Sequence, residues 1–314
     1  MSRVIISGSV AYDRIMDYEG LFADHFVADK LHSINLSFQI QRLSVEFGGT
    51  AGNMAFNLAL LGVQSDIIAT VGEDFSKYKS HMLLSGVNPT TVRTVEGEMT
   101  ASAYVFTDKA DNQIAAFHMG AGGHAYDSPI DTEGRGYAIV GPGCLDDMRA
   151  LPEIYRTKNF PFFYDPAQAL TALTGDDLKA GMKGAQILFG TDYELGLIAQ
   201  KTGWTENTML ENVKALVITY GAEGSRIRTA DGEIRIAAAL VDNVSDPTGA
   251  GDAYRAGFIK GLLSALPMET CAKIASTVAA YTVEKYGTQT HTFTLDQLKE
   301  RYKKSYKEEC PLKA

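Results

Sequence analysis

Cysteine is scarce in this 314-residue chain: Cys144, Cys271 and Cys310 are far apart and show no CxxC spacing. That pattern excludes a disulfide framework and a cysteine-built zinc site, and reduced thiols are expected. The six histidines never fall at HxxxH spacing, so no helix face offers a pair of them to a metal. No apolar run approaches the roughly 20 residues that span a bilayer. The opening "MSRVIISGSVAYD" enters a strand-like run without the basic, apolar and small-residue succession of a signal peptide, and a cytoplasmic protein is expected. Excess positive charge is missing too. At a net charge of -9 there is no general attraction to nucleic acid or to an anionic membrane, and "ERYKKSYK" reads as the solvated face of a final helix. A GxxxxGK[ST] phosphate loop and a GxSxG nucleophile elbow are also absent. "GAGGHA" at 120–125 has the spacing of a dinucleotide fingerprint, but Pro129 and two glycines follow where that motif needs a helix.

What is present is an alternation. After about residue 134, strand-like runs ("YAIVG", "FPFFYD", "AQILFG", "ALVITYG") alternate with helix-length amphipathic segments, which predicts a parallel sheet with crossover helices. The segments from Phe26 to Phe47 and from Thr100 to His118 instead show short alternating runs, which predict antiparallel strands. Between them "AGNMAFNLALLG" has apolar residues at helical spacing and stops at Gly62. The expected fold is a doubly wound α/β core formed by residues 1–12, 48–98 and 120–314, with a small β-sheet lid formed by 13–47 and 99–119. The two closing helices have capping candidates in Glu269 or Thr270 and in Thr294.

The stretch with most chemistry is "SDPTGAGDAYRAGF", residues 245–258. A helix from Gly249 through Leu263 makes the amides of Gly249, Ala250 and Gly251 unpaired first-turn donors, a ready hole for an anion. Asp252 then sits where a static phosphate site would avoid a carboxylate. Beside a phosphoryl group in transfer to an alcohol, a carboxylate serves as the base that accepts the hydroxyl proton. Taken alone, the same residues also fit an ordinary helix start with an acidic first turn. In "EFGGTAGN", Gly48 and Gly49 can act as a hinge that admits a ligand close to backbone, with Asn53 as a hydrogen-bonding side chain, or form a plain loop-to-helix turn. Asp13 follows the first strand-like run, where a carboxylate can accept from two vicinal hydroxyls. In "VITYGAEGSRI", Thr219, Gly221 and Gly224 can floor a nucleotide site or make a tight hairpin.

Together and in order, these pieces resemble the ribokinase (PfkB) superfamily of sugar and nucleoside kinases over nearly the whole chain. The family's Asp-Thr-Thr-Gly-Ala-Gly-Asp is matched by Asp246 to Asp252, with Pro247 in place of the first Thr. The resemblance implies Asp252 as the base, Gly249, Ala250 and Gly251 as the hole for the γ-phosphoryl group, and Asp13, Gly48, Gly49 and Asn53 as substrate binders. It implies ATP at Thr219, Gly221, Gly224, Thr248 and Ser276. The family's Asn-x-x-Glu reads "TDYE" here, so Glu194 is retained for magnesium-bound water while Thr191 replaces Asn. A potassium loop is implied around Asp246, Thr248, Thr282, Lys285, Gly287 and His291.

The Pro-x-Pro-Gly-Glu run of ribokinases and fructokinases is missing, and "KLHSINLSFQIQRLSVEFGGTAGN", "AAFHMGAG" and "YDPAQAL" are most similar to the microbial adenosine and nucleoside kinase branch. Phe38, Ala103, Val105 and Phe117 would give the lid an apolar face on which a purine can stack, or would pack the lid's own core or a lid-to-lid dimer contact. The expected activity is ATP-dependent phosphorylation of a nucleoside 5′-hydroxyl, adenosine first, by a monomer or a lid-mediated homodimer. A ribose or ketohexose kinase, or a non-catalytic nucleoside- or sugar-binding regulator on the same fold, are the alternatives.

Overall fold

The structure is a computed structural model that describes residues 3–26, 33, 35–110 and 112–313. Fourteen strands and nine α-helices lie within the described residues. In chain order they are β1 (Arg3–Ser7), β2 (Ala11–Asp17), β3 (Arg42–Gly48), α1 (Thr50–Leu60), β4 (Ser65–Ile68), β5 (Thr70–Val71), α2 (Ser76–Leu84), β6 (Arg93–Thr94), β7 (Ala101–Thr107) and β8 (Gln113–His118). There follow β9 (Arg135–Val140), α3 (Leu145–Thr157), β10 (Phe162–Tyr164), α4 (Gly175–Met182), β11 (Ile187–Thr191), α5 (Asp192–Thr202), α6 (Glu206–Leu210), β12 (Ala215–Thr219), β13 (Ser225–Thr229), β14 (Gly232–Ile236), α7 (Ala250–Leu263), α8 (Met268–Val283) and α9 (Leu295–Tyr306).

An eight-stranded sheet in the order β14-β13-β12-β11-β10-β9-β1-β4 runs parallel from β4 to β12 and ends in an antiparallel hairpin. Its parallel strands are buried on both faces, so alternate residues feed two cores. Val4, Ile6, Ile139, Phe163, Phe189 and Val217 pack with Met54, Tyr254 and Phe258 of α1 and α7. Ile5, Ala138, Tyr164, Leu188 and Leu216 pack with Met148, Leu178 and Ile198 of α3, α4 and α5. The parallel strands therefore share one carboxyl edge. There the helix starts and loops converge, as open α/β sheets require of a ligand crevice.

The small sheet has the order β3-β2-β7-β8 and projects from the core at the glycine pair that joins β3 to α1. One expectation changes here. Asp13 sits inside β2, because the opening run breaks around Gly8 into two strands that belong to different sheets. Within the Thr100–His118 segment β7 and β8 pair antiparallel as expected, while β2, outside both segments, pairs with β7 in parallel. Of the Phe26–Phe47 segment only Arg42 to Phe47 falls in a strand, β3; residues 27–32 and 34 lie outside the described residues. Among the helices, α8 begins after Pro267 without a side-chain cap, while Thr294 closes a capping box with Gln297 as expected.

Candidate active site

Helix α7 starts at Gly249, whose φ of 78° lies in the left-handed region and where a Cβ would come within 3.0 Å of Thr288. Both constraints favour glycine. Among the described residues the amides of Gly249, Gly251 and Asp252 have no acceptor, whereas that of Ala250 bonds to the Pro247 carbonyl at 3.2 Å. Three bare amides at the positive end of a fourteen-residue helix suit an anion. Ala250 is the correction: its amide is engaged and that of Asp252 takes its place among the free donors.

The Asp252 side chain accepts from Asn53 Nδ2 at 2.8 Å. Burial pushes its pKa up to about 7; the Asn53 bond and the Arg255 guanidinium pull down, and the carboxylates of Asp165 and Asp13 push up. A carboxyl balanced near neutrality is matched to the work of a general base. Asn53 reaches it from the first turn of α1, whose start requires Gly49: φ there is 85°, and a Cβ would sit 2.6 Å from the Ser9 carbonyl oxygen. Gly48, before it, is where the Asp13 carboxylate comes within 2.4 Å of the position a Cβ would take. Burial, then Asp246 and Glu46, raise the Asp13 pKa to about 6.

Asp13, Gly49, Asn53, Asp252 and the start of α7 line one cavity of about 1020 Å³ at the carboxyl edge of the main sheet, whereas Gly48 does not line it. Ala11, Asp13, Asn53, Phe117, Met119 and Gln168 wall one part, and Thr191, Glu194, Thr219, Gly221, Gly224, Thr248 and Ser276 another. Asp252 and the α7 amides lie along the same wall. The Thr219–Gly224 stretch is both things considered above, a hairpin turn between β12 and β13 and a lining of the cavity. Glu194 Oε2 accepts from the Thr191 amide at 2.7 Å in a capping box that starts α5, so Thr191 does helix-capping work where the family has Asn. Ser276 Oγ accepts from the Ala239 amide at 2.8 Å.

On the small sheet, Ala103 pairs with Asp13 on one side and with Phe117 on the other, so the three share the face turned to the cavity. Phe117 lines the cavity and is 53% exposed, an apolar surface ready to be covered. Ala103 and Val105 are on that face but do not line the cavity. Phe38 is set elsewhere. Its ring packs 5.1 Å from that of Phe106, which alternates to the opposite face, and beside Tyr18 and Phe22. The alternation of β7 decides this, and the loop carrying Phe38 has no strand periodicity from which to read it.

The predicted cation-loop residues do meet. Asp246 accepts from the amides of Thr248 at 2.9 Å and Gly287 at 3.0 Å, tying the two loops together, and the Lys285 amide bonds to the Thr282 carbonyl. The buried His291 ring bonds Asn57 at 2.9 Å and Thr282 at 3.3 Å, and burial lowers its pKa to about 4. Its Nε2 is taken up by Asn57 and Thr282 within the core.

Sequence reasoning did not single out Asp165, Gln168 and Arg255. Asp165 and Gln168 stand in "YDPAQAL", where a DP pair after a buried strand was the available signal. Arg255 Nε and Nη2 donate to both Asp165 oxygens at 2.6 and 2.8 Å, and Nη1 donates to the Gly251 carbonyl at 3.2 Å. This buried fork holds the carbonyl of the residue just ahead of Asp252.

Comparison with known proteins agrees with this geometry. Residues 1–294 match the family described as pfkB family carbohydrate kinase. A nucleoside kinase of Methanocaldococcus jannaschii is 31% identical over 307 residues, 97% of this chain and 98% of that one. The solved structure of the Burkholderia thailandensis nucleoside kinase in complex with inosine is 35% identical, covers 98% of this chain and 99% of its own, and superposes with a TM-score of 0.84. That of the Methanocaldococcus jannaschii nucleoside kinase, 30% identical, covers 97% and 99% with a TM-score of 0.87. This chain therefore belongs to the pfkB family of carbohydrate kinases, phosphotransferases that act on a hydroxyl group.

Proposed function

We propose that this enzyme transfers the γ-phosphoryl group of ATP to the 5′-hydroxyl of a purine nucleoside. The observation that carries the reading is a carboxyl poised near neutrality beside three acceptor-free amides, in a cavity that continues to Asp13 and to the exposed ring of Phe117. The similarity to a nucleoside kinase that holds inosine supports a nucleoside, and widens the choice from adenosine to purine nucleosides that share a π-face and a ribose.

In this reading Asp13 and Asn53 bind the ribose hydroxyls and the purine lies against Phe117 and Met119. ATP lies along Thr219, Gly221, Gly224, Thr248 and Ser276 with its γ-phosphoryl group toward the amides of Gly249, Gly251 and Asp252. Asp252 takes the proton of the 5′-hydroxyl as its oxygen attacks phosphorus and the bond to ADP breaks. Backbone amides fixed by a helix need no reorganisation as charge develops, which is the source of their effect. The small sheet acts as a lid that turns at Gly48 and Gly49 and excludes water.

Magnesium suits this donor set. One oxygen of Glu194 stays free of its capping bond, and among the described residues no cluster of three or more His, Cys, Asp or Glu could hold a bare ion. Such a site fits magnesium that arrives on nucleotide phosphates and keeps its waters, neutralising phosphate charge when bound. A monovalent cation would rest on backbone carbonyls of the Asp246 and Gly287 loops, since both Asp246 carboxylate oxygens already accept from backbone amides.

Two results follow. The acid limb of kcat/KM should lie near pH 7, turnover falling about tenfold per unit below it as Asp252 takes up a proton; a profile flat from pH 5 to 8 would contradict the assignment. Phe117→Ala should weaken adenosine binding by about 1 to 3 kcal/mol, the value of a stacked base, while ribose binding barely changes. Calorimetry with the two ligands tests this, and equal losses would refute stacking.

A further inference from the structure

Asn53 must present its amide nitrogen, not its oxygen, to the base, yet an asparagine can turn either way at no cost to its packing. What decides the orientation lies behind it, outside the cavity. Gln289, buried in the turn after α8, donates from Nε2 to Asn53 Oδ1 at 2.9 Å and to the Tyr78 hydroxyl at 2.6 Å. Tyr78 in turn donates to the Gly48 carbonyl at 2.7 Å. The His81 Nε2 lies 3.0 Å from Gln289 Oε1 and its ring stacks on Phe47 at 4.2 Å between centroids. Each group in this chain has one role open to it. Tyr78 gives its only proton to Gly48 and so accepts from Gln289; Gln289 then offers its oxygen to His81 and its nitrogen to Asn53; Asn53 is left to accept with its oxygen and donate with its nitrogen.

We infer that Gln289 is a positioning residue for the reaction: it fixes Asn53 so that Asn53 Nδ2 faces the Asp252 carboxylate, and it anchors that pair to the glycine hinge through Tyr78. The inference rests on the reading of Asp252 as the base. Gln289 itself touches neither the cavity nor Asp252. With Gln289 gone, Asn53 is free to turn its oxygen to the carboxylate, and the bond that lowers the Asp252 pKa is lost. The other ionisable groups facing Asp252 are Asp13 from β2, Asp165 beyond β10, Arg255 on α7 and Tyr78 on α2. Of these only Tyr78 loses a hydrogen bond when Gln289 is replaced.

The test is single-turnover phosphorylation of adenosine by the full chain with ATP and magnesium across pH 5.5 to 9, for wild type, Gln289→Leu and Gln289→Met. Both variants should move the acid limb up by about one unit, so that turnover at pH 6 falls about tenfold while the alkaline plateau stays within about threefold. Gln289→Met is the decisive variant, because it nearly keeps the volume, adds no charge and cannot donate. If Gln289 merely fills space, Gln289→Met keeps the wild-type limb and the inference fails; an unmoved limb with only a lowered melting temperature overturns it equally. Should Gln289→Leu not fold, Tyr78→Phe, which frees the Gln289 amide and keeps the ring, should shift the limb in the same direction, and no shift would count against the inference. The base assignment is judged separately by Asp252→Asn, whose turnover does not depend on what Gln289 does.

Discussion

Asp252→Asn should lower turnover by about three orders of magnitude or more, within the upper range for removal of a general base, and leave adenosine affinity within about twofold. The reason lies in what the substitution keeps. An asparagine at 252 still accepts from Asn53 Nδ2 through its own oxygen, so the hydrogen bond that orients the side chain survives. The acceptor-free amides of Gly249 and Gly251 are backbone and unchanged. What disappears is the ability to take a proton, which matters only while the hydroxyl is losing one. In the proposed mode, ground-state binding of a neutral nucleoside draws on Asp13, Asn53 and Phe117. The matched measurements are kcat and a calorimetric Kd on the same preparation. Retained turnover would show that another group takes the proton, and Asp13, whose pKa is also raised, to about 6, would be the next to replace.

The second large effect concerns stability. The Asp165 and Arg255 side chains are only 2% and 5% exposed and meet in a two-bond fork, with the guanidinium 5.5 Å from the Phe189 ring centroid. Arg255→Met leaves a buried carboxylate without its partner and should cost about 3 to 5 kcal/mol in denaturant unfolding. Asp165→Leu should cost as much by stranding the guanidinium. The double variant should recover most of that loss, because a buried ion pair replaced by apolar side chains of similar size is often nearly neutral. Turnover should not recover with it, since the bond from Arg255 to the Gly251 carbonyl is gone and the first turn of α7 is less well held. A double variant with restored stability and restored turnover would mean that the pair has no part in shaping the site. Single variants that lose less than about 1 kcal/mol would mean that water reaches the pair.

Much of this was legible in the residues, and the limits have physical reasons. The parallel core announces itself because strands buried on both faces must be continuous apolar runs, as "YAIVG", "AQILFG" and "ALVIT" are. The α7 start could be read because small residues followed by an acid have few uses. The small sheet was harder. Its strands are half-exposed and short, and periodicity says nothing of whom a strand pairs with, so the parallel pairing of β2 with β7 is not legible in the residues. Phe38 misled because an aromatic in an aperiodic loop carries no face label, and the ring found Phe106 on the far side of the sheet. Asp165 and Gln289 were missed for a further reason: each acts through a partner about 90 or 236 positions away, Arg255 and Asn53, and no local pattern encodes such a pairing. Asn53 was picked out for its place after two glycines, but that it donates to Asp252 emerges only when α1 and α7 are brought side by side.

The claim at the centre is a phosphoryl transfer to the 5′-oxygen of a purine nucleoside, and its most direct test is one assay. The purified chain, with ATP and magnesium, would be offered adenosine, inosine, guanosine, cytidine, ribose and fructose at equal concentrations, and the products identified by phosphorus NMR. The account predicts nucleoside 5′-monophosphate with one ADP formed per product, the purine nucleosides leading in kcat/KM and the free sugars trailing well behind. Preferential phosphorylation of ribose or fructose, or ATP consumption with no phosphorylated nucleoside, would contradict it.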